Sequence, residues 1–259
     1  MKRFKITILA LLFAVGTSQA MAAEGVEIPK RDWTFDGIFG SFERPQLKRG
    51  YQVFREVCNG CHSLDLIAYR NLQEIGFTED EVKEIAAEYD HFAGPDDEGE
   101  ILVDGELRMR PGLPTDRYYA PFPNSKAAAA SNGGAVPPDL SLMAKARIGG
   151  PNYIYALMTG YEDEAPEDSP IPEDKYYNHF FPGHAISMGP PLFEEAVEYE
   201  DGTPATLEQL SEDVSVFLMW AAEPQLETRK SMGIKVLLFL IVLTALLYAL
   251  KRQIWSDVH

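Results

Sequence analysis

Residues 51–69 read YQVFREVCNGCHSLDLIAY, and inside them Cys58-Asn59-Gly60-Cys61-His62 is a C-x-x-C-H pentapeptide that holds both cysteines of the 259-residue chain. Upstream, Pro45 suits a first helical position, and Leu47, Tyr51, Phe54 and Val57 recur at helical spacing, so a helix is predicted to feed straight into the motif. Side chains three and four apart share one face of a helical turn, which sends both thiols and the imidazole the same way. This is the attachment pattern of a c-type haem. Two thiols at that spacing can each add across a vinyl group, and the imidazole that follows is placed beneath the iron.

Three other readings of the motif are weaker. A thioredoxin-type redox pair needs a βαβ context, whereas the residues upstream have helix period. A disulfide between residues three apart closes a tiny loop and restrains little. A structural metal site needs a second Cys or His pair at ligand spacing, and the sequence has none. An electron-carrying haem needs a sixth ligand, and after Tyr69 the candidates are Met109, Met143, Met158, Met188, Met219, His91, His179 and His184. Met158 and Met219 fall on apolar helix faces, where methionine packs. Met188 lies in FPGHAISMGPP, residues 181–191, a loop stiffened by proline and glycine that can present a thioether, and a thioether ligand raises the reduction potential. Met188 is the expected ligand, with His184 of the same loop as the bis-histidine alternative.

The two ends read as address labels. Residues 1–23 contain no acid, open with Lys2, Arg3 and Lys5, continue through an apolar run at 6–15 and close on Ala20-Met21-Ala22, the pattern of a cleaved secretory signal peptide. Residues 232–250, MGIKVLLFLIVLTALLYAL, span about 28 Å as a helix, with Lys235 near one end where it can snorkel. The expected layout is a signal peptide at 1–23, an exported domain at 24–228, a transmembrane anchor helix at 229–252 and a short cytoplasmic tail at 253–259. Export by a bacterium places the domain on the periplasmic side of the inner membrane.

Between the ends, four segments carry helix signals. Besides the helix from Pro45, Thr78 and Glu81 form a capping-box pattern before Val82, Ile85, Ala86 and Tyr89. Pro151 leads Tyr153, Ile154, Leu157, Met158 and Tyr161. Thr206 with Gln209 opens a run through Ala221 that Pro224 stops. Residues 94–117, 135–141 and 162–191 read as loops, except that Asp104-Gly105 is a favoured hairpin turn between residues 101–103 and 106–108. The expected fold class is therefore mainly α: a haem domain with long loop insertions, a small β-hairpin, and one C-terminal transmembrane helix. Long irregular stretches are unusual in a compact domain unless a large bound group organises them.

Charge narrows the partners. The chain carries 23 Lys and Arg against 40 Asp and Glu, for a net −17, and residues 24–228 alone hold 15 cations and 39 acids, for a net −24. A surface so acidic excludes nucleic acid and favours a basic protein.

Residues 51–69 together with NGGAVPPDLSL (132–142), ARIGG (146–150), Thr159-Gly160-Tyr161, Phe181-Pro182-Gly183, Met188-Gly189-Pro190-Pro191, DGTPA (201–205) and WAAEP (220–224) closely resemble the cytochrome c1 family, in order and over nearly the whole mature chain. The resemblance implies a cytochrome c-like domain with one covalently bound haem c, attached at Cys58 and Cys61. His62 and Met188 would ligate its iron, Arg147 would lie near a propionate, and Asn132, Pro137, Pro138 and Tyr153 would line the pocket. It further implies the haem subunit of a cytochrome bc1 complex, working beside cytochrome b, receiving electrons from a Rieske iron–sulfur protein and passing them to a soluble c-type cytochrome, a basic one given the charge. Such a chain performs no substrate chemistry of its own. An anchored monohaem cytochrome of another respiratory complex is the alternative within the same chemistry. Two departures stand out: a second cysteine pair found in some relatives is missing, and the acidic stretch at 96–106 is longer than expected.

Overall fold

The computed structural model of the chain describes residues 26–167, 169 and 171–258. The expected signal peptide at 1–23 lies outside the described residues. In chain order the helices are α1 (Arg44–Val53), α2 (Glu79–Ala87), α3 (Ser125–Ser131), α4 (Met143–Ala146), α5 (Pro151–Thr159), α6 (Leu207–Ala222) and α7 (Leu226–Ile254). The strands are β1 (Asp90–Phe92), β2 (Leu102–Val103), β3 (Glu106–Leu107), β4 (Met109–Pro111), β5 (Tyr176–Tyr177) and β6 (Ala185–Ile186). The fold is mainly α with small hairpins, as the sequence led us to expect.

The core is built where α1 crosses α6. Leu47, Tyr51, Val53 and Phe54 from one side and Leu210, Val214, Phe217 and Trp220 from the other are buried, and burial of such side chains stabilises the fold by about 1.5–3 kcal/mol each. The crossing point is Gly50. A Cβ there would lie 2.0 Å from the Asp213 carbonyl oxygen and 2.7 Å from Phe217 Cβ, so only a glycine lets the two backbones meet. One charge is buried at the same crossing. The fully buried Asp213 carboxylate accepts from Arg49 Nε at 2.8 Å and from Gln209 Nε2 at 2.9 Å. Burial alone would lower the Arg49 pKa, but bonds to Asp213 and Asp201 outweigh it and raise the guanidinium above its usual value.

Most local signals have their predicted result. Thr78 and Glu81 close a capping box on α2, with Glu81 N–H donating to Thr78 Oγ1 at 3.2 Å and Thr78 N–H to Glu81 Oε2 at 2.6 Å. Thr206 Oγ1 accepts from Gln209 N–H at 3.2 Å at the start of α6, while the Gln209 side chain turns to Asp213. The β2–β3 hairpin turns through Asp104 and Gly105 with φ of 53° and 86°, both left-handed, as a type I′ turn requires. α5 is shorter than expected. It ends at Gly160, where a Cβ would lie 2.5 Å from the Phe180 ring, and Tyr161 instead bridges to Asn178. Residues 94–117 are also more regular than expected, because β1 pairs antiparallel with β4 and makes the hairpin the tip of a longer ribbon. Met219 is buried in the core and Met158 packs against it.

α7 has 29 residues, about 44 Å of helix. Its most apolar 18-residue window has a mean hydropathy of 2.5 and is unburied by the rest of the chain, so α7 is long and apolar enough to cross a membrane.

Candidate haem-binding site

α1 continues past Val53 but changes its winding. Over Phe54–Cys58 the helix widens to a π turn, in which Asn59 N–H donates to the carbonyl five residues back, Phe54 O, at 2.8 Å. Such one-residue expansions recur at functional sites. Cys61 N–H and His62 N–H then both reach Cys58 O, at 3.1 and 2.9 Å, so the pentapeptide forms one tight turn. Both thiols are free. Cys58 packs against the core, and burial, with Cys61 beside it, pushes its pKa up to about 12.

His62 is fixed from behind. Its Nδ1 lies 2.8 Å from the carbonyl oxygen of Pro138. A donated Nδ1–H leaves the lone pair on Nε2, the arrangement of a metal-binding imidazole. Burial lowers the His62 pKa, with the Pro138 bond and Asp139 partly opposing, so the ring is held in the neutral form that ligates. The carbonyl is itself braced. Leu140 N–H donates to Ser63 O at 2.9 Å. The Asp139 carboxylate accepts from Ser63 Oγ at 2.8 Å, Asp65 N–H at 2.7 Å and Ser141 N–H at 2.9 Å, and Ser141 Oγ accepts from Leu66 N–H at 3.0 Å. Sequence reasoning missed Asp139 and Ser141. An Asp that follows Pro-Pro and precedes a backbone N–H two residues on is Asx-turn chemistry, and that was the available signal.

The other expected residues fall in three places. Arg147, just past α4, is exposed, donates to Ala146 O at 3.3 Å and stands by the Tyr153 hydroxyl, whose pKa burial raises and Arg147 pulls back. Asn132 spends its Nδ2 on Ala128 O at 2.7 Å, closing the end of α3, and Pro137 is half-buried. Met188 belongs to a second frame: its carbonyl accepts from Tyr161 Oη at 3.1 Å. The buried Asn178 pins that loop, donating to Leu157 O at 2.8 Å and accepting from Phe180 and Phe181 N–H at 3.0 and 3.1 Å. His184, with a left-handed φ of 60°, stacks on Tyr177 at 5.6 Å. The hydrogen bonds around His62 thus join the 62–66 and 138–141 segments, while those around Met188 join its loop to α5.

Two free thiols, a neutral imidazole with one nitrogen already committed, and a partly open turn are a donor set that fits haem. Among the described residues no group of three or more His, Cys, Asp and Glu side chains is placed to hold a bare metal ion. A core helix ending in C-x-x-C-H, its histidine tethered to a backbone carbonyl, defines the class of c-type haem proteins.

Comparison with known proteins narrows the class. The model of the Cytochrome C1 family matches residues 33–258. The chain is 52% identical over 263 residues to "Cytochrome c1" of Rhodospirillum rubrum, across 96% of this chain and 94% of that one. It is 47% identical over 244 residues to the "Cytochrome b-c1 complex catalytic subunit, mitochondrial" of Candida albicans, across 93% and 83%. With "Cytochrome b/c1" of Bradyrhizobium diazoefficiens it shares 44% identity over 270 residues, 96% of this chain but 38% of that longer protein. The chain belongs to the cytochrome C1 family, the haem subunits of bc1 complexes.

Proposed function

We propose that this chain carries electrons within a quinol–cytochrome c reductase, seated beside cytochrome b, accepting them from a Rieske iron–sulfur protein and delivering them to a basic soluble c-type cytochrome. The observation that carries the reading is the His62 imidazole, held by Pro138 O at 2.8 Å and displayed from the same turn as Cys58 and Cys61, in a chain of this family. Cys58 and Cys61 would hold the haem covalently, His62 Nε2 and the Met188 thioether would bind its iron, Arg147 would face a propionate, and Asn132, Pro137, Pro138 and Tyr153 would line the pocket. When bound, the haem would supply a one-electron couple whose potential a methionine thioether ligand would raise. The protein's own residues do the rest. Pro138 O fixes the imidazole's orientation and tautomer, Asp139 braces that carbonyl, and the packed helix behind Cys58 keeps water from one side of the site.

The net charge of −24 on residues 24–228 supports a cationic acceptor, because a summed field of that size steers diffusional encounter. α7 would anchor the domain to the bacterial inner membrane after export directed by residues 1–23, with residues 253–259 left in the cytoplasm. The test is quinol-driven reduction of a basic cytochrome c by the purified complex across a range of ionic strength. Low-salt rates should fall at least about tenfold on going to high salt, the mark of steered association. A complex that reduces the carrier at a salt-independent rate, or cannot reduce it at all, contradicts the proposal.

A further inference from the structure

Ahead of α1 the chain makes a closed turn beside the first turns of α7. Ser41 N–H donates to Thr34 O at 3.1 Å and Asp36 N–H to Trp33 O at 2.9 Å. Gly40 is obligatory there, since a Cβ would sit 1.9 Å from Asp36 O. The legs turn their rings inward: Phe35 and Phe42 are 5.0 Å apart, and Trp33 stacks on Phe35 at 5.7 Å. The tip does the opposite. Ile38 is 67% and Phe39 86% exposed, two large apolar side chains on the turn left largely uncovered by the described residues.

α7 sets the height of that tip. Phe42 N–H donates to Glu227 Oε1 at 2.7 Å, and Arg44 pairs with the same carboxylate at 2.6 Å. One helical turn further along, Lys230 Nζ donates to Gly40 O at 3.2 Å and to Phe35 O. As the chain steps from residue 42 to 40, its partner on α7 steps from 227 to 230, toward the apolar run that begins at Met232, about 3 Å further along the axis. Residues 38 and 39 form the tip of the turn, between the Phe35 and Gly40 carbonyls that Lys230 holds. Arg229 (paired with Glu223), Lys230 (bound to the turn) and Lys235 put three cations along this part of α7 in an otherwise acidic protein, where cations favour lipid phosphates.

We propose that Ile38 and Phe39 enter the headgroup–acyl boundary of the bilayer beside α7, a second membrane contact that fixes the tilt of the haem domain. The proposal rests on the reading of α7 as a membrane anchor. Its test is Phe39→Trp, a change at a largely exposed site, in the full mature chain and in the assembled complex. Each is reconstituted into phosphatidylethanolamine–phosphatidylglycerol vesicles with plain or dibrominated acyl chains. The parent protein with Trp33, Trp220 and Trp255 supplies the baseline. Brominated lipid should quench the emission added at position 39 by at least half in both preparations. Vesicle-bound protein whose added emission is unchanged overturns the proposal and leaves the anchor standing. Quenching in the isolated chain but not in the complex also overturns it, because a neighbouring subunit then covers the tip. Protein that fails to float with the vesicles removes the anchor reading and the proposal together.

Discussion

Replacing Gly50 with Ala inserts a methyl group where α1 and α6 are closest. The new Cβ would meet the Asp213 carbonyl oxygen at 2.0 Å, about 1.4 Å inside ordinary van der Waals contact, and Phe217 Cβ at 2.7 Å. Neither neighbour can swing aside: one is helix backbone, and the other is the root of a fully buried side chain. The helices must separate, and overpacking of that kind costs typically 1–3 kcal/mol. With both obstacles rigid, the upper end applies, about 3 kcal/mol, or a fall in Tm of about 6–12 °C for a domain of this size. Because α1 runs directly into the Cys58–His62 turn, the displacement should also loosen His62 from Pro138 O. The assay is thermal denaturation of the detergent-solubilised full chain, followed by far-UV circular dichroism and by the haem Soret band. Gly233→Ala, on α7 and away from the site, is the control, since a Cβ there meets nothing within 4 Å. A Gly50→Ala protein that melts within a degree or two of the parent would refute the claim that this crossing holds the site in place.

Asp139→Ala removes the acceptor shared by Ser63, Asp65 and Ser141, at an expected cost of about 2–4 kcal/mol in urea unfolding. With Pro138 O less firmly held, the reduction potential should rise by roughly 20–40 mV, about 0.5–1 kcal/mol for one electron; an unmoved potential removes Asp139 from the site's support. Arg49→Leu leaves the buried Asp213 without its cation and should destabilise by about 3–5 kcal/mol in the same unfolding assay, a change under 1 kcal/mol counting against the pair's role. The hydrogen bonds from Arg110 hold the Asp116 carboxylate at about 2, below its ordinary 3.8. A carboxylate depressed on folding adds stability that is full above its unfolded pKa and is lost as pH falls through the folded one. The parent protein should therefore lose that increment between about pH 4 and pH 2, and Asp116→Asn should flatten the slope in that window.

What the sequence disclosed was local. A capping box, an Asp-Gly turn, a proline at a helix start and a long apolar run each act within a few residues, so Thr78–Glu81, Asp104–Gly105, Pro151 and α7 were all legible. Pairings across distance were not. β1 and β4 meet only because an acidic, glycine-containing tip folds over between them, and neither three-residue strand has a recognisable pattern by itself. α3 passed unnoticed although Asn124 caps it, accepting from Lys126 and Ala127 N–H at 3.1 and 3.0 Å, because a seven-residue segment shows little periodicity. At the site, C-x-x-C-H announced itself, whereas the brace behind His62 spans 76 residues of chain. Pro138 was named as a pocket-lining residue, and the structure uses its carbonyl to hold His62. Met188 was drawn from loop composition and family resemblance, and the geometry adds the Tyr161 and Asn178 bonds that stiffen its segment.

The central claim is that a haem is covalently tethered at Cys58 and Cys61, and intact mass spectrometry of the mature chain, followed by peptide mapping, tests it most directly. The predicted result is a chain heavier than its amino acids by one haem, with the added mass confined to the peptide containing Cys58 and Cys61 and retained after acid–acetone extraction. A mature chain with the bare polypeptide mass, or a haem that extraction removes, contradicts the account.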